Sequence, residues 1–321
     1  MSGRAPGAGT GLRPIVAIIA TMLMAACGAG SDPGASGDPL TVVAAFYPLE
    51  EAARGVGGDA VEVVGLTPPG QGPHDLELLP QQVTDIDGAD VVFYLGRGFQ
   101  PQVEEAVAGA PDGVETVDLL DHVELLSVDP QLEGTDGEVD GEVLTGDVDP
   151  HVWLDPARMI TMVEAIVEVL TGSDPDRAEV YRANADTYLE DLTGLDADYR
   201  TGLESCRSNV IVTSHRAFGY LAASYGLHQI PIAGISPGIE PDPQTLEAIA
   251  AEAEAEGVTT IYLETVAPPD LAETVADEIG ARLDLLDPIE GLTQAQLDDG
   301  AGYASIMRDN LQRLRTGLDC E

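Results

Sequence analysis

Asn209-Val210-Ile211-Val212-Thr213-Ser214-His215-Arg216-Ala217-Phe218-Gly219-Tyr220-Leu221-Ala222-Ala223-Ser224 decides the fold. Its first five residues form a short β-rich run with no polar–apolar alternation. Such a strand is buried on both faces, as in a parallel sheet. A two-residue polar turn carries His215, and Arg216 to Ser224 then reads as a helix. The same unit recurs along the chain. Strands are expected at Leu40–Ala45, Val61–Leu66, Val91–Leu95 and Val114–Leu119. After a long interruption they return at Asn209–Thr213, Gln229–Ile232, Thr259–Leu263 and Arg282–Leu286. Helices are expected at Leu49–Val56, Pro101–Val107, Arg216–Ser224, Pro243–Glu256 and Asp270–Ile279. Strand–helix alternation of this kind gives α/β architecture with helices on both sheet faces. Two sets of four strands give two small parallel α/β lobes, residues 40–172 and 207–321.

The lobes are expected to be bridged by one long helix within 173–206. Ser173-Asp174-Pro175 combines a capping side chain with proline in the first turn. Tyr181, Ala185, Tyr188, Leu192, Leu195 and Tyr199 then recur at spacings of four and three, which makes one apolar stripe. About 30 residues of helix would span roughly 45 Å. Gly194 and Gly202 weaken it locally. Such a strut limits hinge motion between the lobes.

Ligands of α/β sheets bind beyond the carboxyl ends of the strands. His74 follows the second strand and His215 the fifth. His151 follows the fourth strand and a long insertion, and Asp287 ends the eighth strand. All four can face one crevice between the lobes. Three imidazoles and a carboxylate suit Zn²⁺ or a related first-row ion. A loop histidine taken alone is more often a surface residue, and Asp287-Pro288 can equally terminate a strand. Glu240 and Glu264 lie in loops near the same crevice, either as carboxylates orienting a histidine N–H or as solvated side chains. His122 and His228 lie in no motif and read as surface residues. Trp153 reads as packing beneath the site.

Residues 1–27 read as an export leader. Arg4 and Arg13 precede an apolar run from Ile15 to Ala26 that is too short to span a bilayer. Leu23-Met24-Ala25-Ala26-Cys27 resembles the lipobox of bacterial lipoproteins, so Cys27 is the expected acylation site. Residues 28–39 are a Gly-, Ser-, Asp-, Ala- and Pro-rich tether. Outside the cytosol the remaining pair, Cys206 and Cys320, is expected to form a disulfide closing more than 100 residues. The chain has 57 acidic residues against 14 basic ones, all arginine, for a net charge of −43. That surface repels nucleic acid and anionic lipid and attracts cations. Residues 126–148 are Gly-, Asp-, Glu- and Thr-rich, with seven acidic residues from Asp129 to Asp147. They are expected to form a mobile acidic loop.

Several motifs in order resemble a known family. They are Pro73-His74-Asp75, Asp149-Pro150-His151-Val152-Trp153-Leu154-Asp155-Pro156, Thr213-Ser214-His215-Arg216-Ala217-Phe218-Gly219-Tyr220, and Gly234-Ile235-Ser236-Pro237 with Glu240-Pro241. The pattern is similar to the metal-binding solute-binding lipoproteins of bacterial ABC importers, the zinc/manganese group of ZnuA and TroA types. The resemblance implies two lobes bridged by a rigid helix and metal ligands at His74, His151, His215 and Asp287. It further implies a lipid-anchored extracytoplasmic monomer with no catalytic residues, delivering metal to a permease driven by a cytoplasmic ATPase. Zinc-type members often carry a His-rich loop where this chain is acidic. Manganese-preferring members tend to place Glu where this chain has His215. Zn²⁺ is therefore the expected cargo, with Mn²⁺ as the alternative. A zinc hydrolase is a competing reading, opposed by four protein ligands that would close the coordination sphere and by the lack of an evident general base. A surface adhesin is a third, since members of the family have been described as adhesive; nothing in the chain requires it.

Overall fold

Every expected strand is present, most within a residue of its expected ends. The computed structural model describes residues 38–74, 76–126, 148–238 and 241–321. The leader, Cys27, the tether to residue 37, Asp75, the interior of the acidic segment and Glu240 lie outside the described residues. The first sheet holds β1 (Leu40–Ala44), β2 (Val61–Gly65), β3 (Val91–Tyr94) and β4 (Glu115–Asp118) in the order β2-β1-β3-β4. The second holds β5 (Val210–Thr213), β6 (His228–Pro231), β7 (Thr260–Leu263) and β8 (Arg282–Leu285) in the order β6-β5-β7-β8. All pairings are parallel, with Val42 opposite Val63 and Val91, and Val212 opposite Ile230 and Ile261. The two sheets thus share one winding pattern.

The connecting helices of the first sheet are α1 (Tyr47–Gly57), α2 (Pro80–Asp87) and α3 (Pro101–Gly109), followed by α4 (Pro156–Ser173). The second sheet carries α6 (Gly219–Tyr225), α7 (Pro243–Ala255), α8 (Asp270–Ile279), α9 (Gln294–Asp298) and α10 (Tyr303–Gly317). The bridging helix, α5, runs from Ala178 to Gly202, 25 residues or about 38 Å. It begins later than Ser173 because α4 extends through that residue. Residues Pro175–Arg177 then form a 3₁₀ turn, with Asp174 accepting from Arg177 at 2.6 Å and Tyr181 at 3.1 Å. Tyr181, Ala185, Leu192, Leu195 and Tyr199 are buried as the stripe requires, and Tyr188 is half-buried. The stripe packs on α4, α1 and α10, so it touches helices of both sheets.

The core explains why these lobes are coupled. Val210, Val212 and Ile261 face a small core with Ala250, Ala253, Ala272 and Val275 from α7 and α8. Their neighbours Ile211 and Tyr262 point to the opposite face of the sheet. There they join a continuous core that also contains Val43, Trp153, Leu192 and Tyr303. Tyr303 reaches back across the molecule, its N–H donating to Glu51 of α1 and its hydroxyl to the Trp153 carbonyl. Cys206 and Cys320 are disulfide-bonded, 114 residues apart, and fasten the C-terminus beside the end of α5. Among the described residues no helix is long and apolar enough to cross a membrane.

Candidate metal centre

Each group of the centre stands in a loop at the carboxyl end of a strand. His74 follows β2, in a loop turned at Gly70, whose φ is +78°. Gly70 N–H donates to the Leu292 carbonyl at 2.8 Å. A Cβ on Gly291 would lie 2.6 Å from the Gln71 carbonyl oxygen, so the loops of the two lobes meet backbone to backbone. Phe99 stands edge-on to the His74 ring, with centroids 4.9 Å apart. His151 opens a 3₁₀ turn, Val152–Leu154, that leads into α4. Asp149 accepts from both its backbone N–H, at 2.9 Å, and its Nδ1–H, at 2.7 Å. Trp153 lies beneath it, with ring centroids 5.1 Å apart and Nε1–H donating to the Pro288 carbonyl at 2.8 Å. His215 sits between β5 and α6, which starts at Gly219 rather than Arg216. Glu264, just beyond β7, accepts from its backbone N–H at 3.0 Å and from Nδ1–H at 2.7 Å.

The fourth group corrects the sequence expectation. His74, His151 and His215 are joined by Glu290, not by Asp287. The Asp287 carboxylate is engaged elsewhere, accepting from Ile289 N–H and Gln296 Nε2–H, each at 2.8 Å. The segment Asp287-Pro288-Ile289-Glu290, bent at Ile289 where φ is +54°, follows β8 and carries the later carboxylate to the imidazoles. Strand position alone singles out the residue that ends the strand, so it missed Glu290. Of the two readings left open for Glu264, the structure shows its carboxylate bonded to His215 Nδ1–H, and Trp153 packs below; Glu240 lies outside the described residues. His122 and His228 are exposed and stand apart. Asp149 received no role from the sequence, although it sits two residues before His151, where an Asx-type contact to a following N–H is common.

The donor atoms converge closely. Glu290 Oε1 lies 3.1 Å from His74 Nε2, 3.0 Å from His215 Nε2 and 3.4 Å from His151 Nε2. His151 Nε2 lies 3.4 Å from His74 Nε2 and 3.3 Å from His215 Nε2. Four tetrahedral ligands at zinc–nitrogen and zinc–oxygen bond lengths stand about 3.3–3.4 Å apart, so these separations are close to the edges of such a tetrahedron. With Nδ1–H donated outward, neutral His151 and His215 turn their Nε2 lone pairs toward one another. Those lone pairs repel unless a cation lies between them. Burial opposes charge on His215, but Glu264 and Glu290 outweigh it and raise its pKa to about 10. Burial likewise opposes charge on His151, yet Asp149 and Glu290 raise its pKa. For His74 burial wins over Glu290, and its pKa falls. Burial would push Glu290 upward, but the surrounding imidazoles hold it well below the usual carboxylate range. All four side chains are almost wholly removed from solvent.

Comparison with known proteins gives the family of the chain. The family model described as zinc-uptake complex component A, periplasmic (ZnuA), matches residues 42–317. The chain is 36% identical over 306 residues to the high-affinity zinc uptake system protein ZnuA of Bacillus subtilis (strain 168), covering 92% of this chain and 94% of that protein. It is 33% identical to the zinc-binding lipoprotein AdcA of Streptococcus pneumoniae, with 96% of this chain covered but only 61% of AdcA. The solved structure of the Zn(II)-bound ZnuA-like domain of that AdcA is similar, with a TM-score of 0.74, 34% identity, and coverage of 88% of this chain and 99% of that one. With two lobes of the same winding and a family match over nearly the whole folded part, the chain belongs to the ZnuA family of zinc-uptake components.

Proposed function

We propose that this chain captures Zn²⁺ outside the cytoplasm and hands it to a membrane permease driven by a cytoplasmic ATPase. The observation that carries the reading is the near-tetrahedral convergence of three Nε2 atoms and one carboxylate oxygen in a buried cleft. His74, His151, His215 and Glu290 would be the ligands, with Asp149 and Glu264 fixing two of the rings. Three imidazoles favour Zn²⁺ over Mn²⁺, which prefers oxygen, and the Irving–Williams order acts the same way. Four protein ligands leave no open position for an activated water, so the site suits capture rather than hydrolysis. Acylation at Cys27 would keep the protein at the membrane face where the permease sits; loss of detergent partitioning in Cys27→Ser tests that part. The shared core and the bridging helix confine motion to the loops bearing the ligands, so release would come from loop rearrangement rather than wide lobe opening.

Equilibrium competition against a zinc chelator tests the reading. One Zn²⁺ should bind per chain and displace Mn²⁺. His151→Ala, His215→Ala and Glu290→Ala should each weaken binding strongly, while His122→Ala and His228→Ala should leave it unchanged. Stoichiometric Mn²⁺ retained against excess Zn²⁺ would overturn the metal assignment.

A further inference from the structure

We propose that Asp287 is a positioning residue: it holds the turn that presents Glu290 to the three imidazoles, and does so without touching the metal. The inference rests on the zinc-site reading above and assigns a device to it.

Every polar group of Asp287 is engaged in shaping this turn. Its Oδ1 accepts from Ile289 N–H at 2.8 Å, and its Oδ2 accepts from Gln296 Nε2–H at 2.8 Å. Its backbone is clamped by one side chain, Asn310, which accepts from Asp287 N–H at 2.9 Å and donates to the Asp287 carbonyl at 2.7 Å. Gln296 Oε1 accepts in turn from Thr293 N–H at 2.9 Å. The ring Asp287–Gln296–Thr293 therefore closes the loop that contains Glu290. Pro288 is held from the other lobe, its carbonyl accepting from Trp153 Nε1–H.

Ile289 is the reason the loop needs holding. Its φ is +54°, in the left-handed region that β-branched residues rarely adopt. Such a conformation persists only where the surroundings over-determine it. Two constraints do so here: the Asp287 carboxylate on its N–H, and burial of its side chain in the main core. Glu290 is the next residue. If Ile289 relaxed to negative φ, the chain direction would change one residue before the ligand, and Oε1 would leave the imidazoles. The buried carboxylate of Asp287 thus converts a strained backbone into a fixed ligand position.

The experiment is a double-mutant cycle on the full chain, with zinc affinity measured by chelator competition. Asp287→Ala should weaken zinc binding by about 10–100-fold, the usual effect of losing a group that orients a ligand. Asp287→Asn keeps an oxygen for Ile289 N–H but loses the acceptor for Gln296 Nε2–H, and should restore most of the affinity that Asp287→Ala loses. In a Glu290→Ala background, Asp287→Ala should add nothing, because its only route to the metal has been removed. The visible spectrum of Co²⁺-loaded Asp287→Ala should match that of Glu290→Ala. If Asp287→Ala does not fold, Gln296→Ala reports instead: a smaller loss in the native background and none beside Glu290→Ala. An undiminished loss in the Glu290→Ala background would overturn the proposal, as would unchanged affinity in Asp287→Ala or an Asn variant as weak as the Ala one. Unchanged affinity in Glu290→Ala alone would instead overturn the ligand set, and this inference with it.

Discussion

Zinc binding should release protons, and the buried imidazoles show from where. At pH 7.5 the metal-free site carries a proton on His215, whose pKa is raised to about 10 because Glu264 and Glu290 outweigh the opposing effect of burial. That proton must leave for Nε2 to coordinate. The bound state therefore holds fewer protons than the free one, and affinity must rise with pH and fall as pH drops. One displaced proton changes affinity tenfold per pH unit, so from pH 8 to pH 6.5 binding should weaken about 30-fold, or ~2 kcal/mol. His151, whose pKa is also raised because Asp149 and Glu290 outweigh burial, favours release of a further proton, while His74, lowered, and Glu290, held ionised, oppose any. Glu264→Gln is the informative perturbation. The amide oxygen still accepts from His215 Nδ1–H, but the charge that sustains the imidazolium is gone. Proton release at pH 7.5 should then fall, and the pH dependence should flatten. Titration calorimetry in two buffers of different ionisation enthalpy gives the proton count directly. A native count near zero at pH 7.5, or an affinity flat between pH 6.5 and 8, would refute the reasoning.

Other outcomes follow from named contacts. Tyr220→Phe leaves Leu126 N–H and the Asp149 carbonyl without the hydroxyl that joins them at 2.9 and 2.7 Å, and should cost about 1–3 kcal/mol in denaturant unfolding of the metal-free protein; an unchanged midpoint would contradict the clamp. Replacing both Cys206 and Cys320 by Ser should lower stability by up to ~4.7 kcal/mol in the chain-entropy model, with zinc affinity unchanged, since neither residue touches the site. A short Gly-Ser linker in place of residues 127–147 should preserve equilibrium affinity, because Asp149 N–H already donates to the Leu126 carbonyl at 3.1 Å and all four donor groups lie outside the segment; a tenfold loss would mean that the segment supplies a ligand.

The central strands β1, β3, β5 and β7 were legible because each is a short apolar run bounded by turn residues. The edge strands β4, β6 and β8 mix polar and apolar residues and were read from the repeat of the strand–helix unit. The bridging stripe from Tyr181 to Tyr199 was legible from its apolar residues at helical period. Four helices were given no range: Pro80–Asp87, Pro156–Ser173, Gln294–Asp298 and Tyr303–Gly317. Pro80–Asp87 buries only Ile86, so it has almost no apolar stripe to read. Pro156–Ser173 begins with Asp155, whose side chain accepts from Ala157 N–H, followed by proline. That is a start signal of the same kind as Ser173-Asp174-Pro175, and it shifted the bridging helix to Ala178. In the site, the three histidines followed from strand ends and motif context. Glu290 did not, because its placement depends on a left-handed φ at Ile289, a conformation that isoleucine gives no reason to expect. Glu264 was offered as one of two carboxylates that could orient a ring, but Asp149 was not, because which carboxylate meets which Nδ1–H depends on how the loops fold together.

Zinc K-edge X-ray absorption of the protein loaded with one equivalent of Zn²⁺ tests the central claim most directly. The account predicts a four-coordinate shell of three imidazole nitrogens at about 2.0–2.1 Å and one carboxylate oxygen at about 2.0–2.2 Å, with no sulfur. One imidazole should be lost in His215→Ala, and the oxygen in Glu290→Ala. A shell with fewer than three imidazoles, or one unchanged by both substitutions, would contradict it.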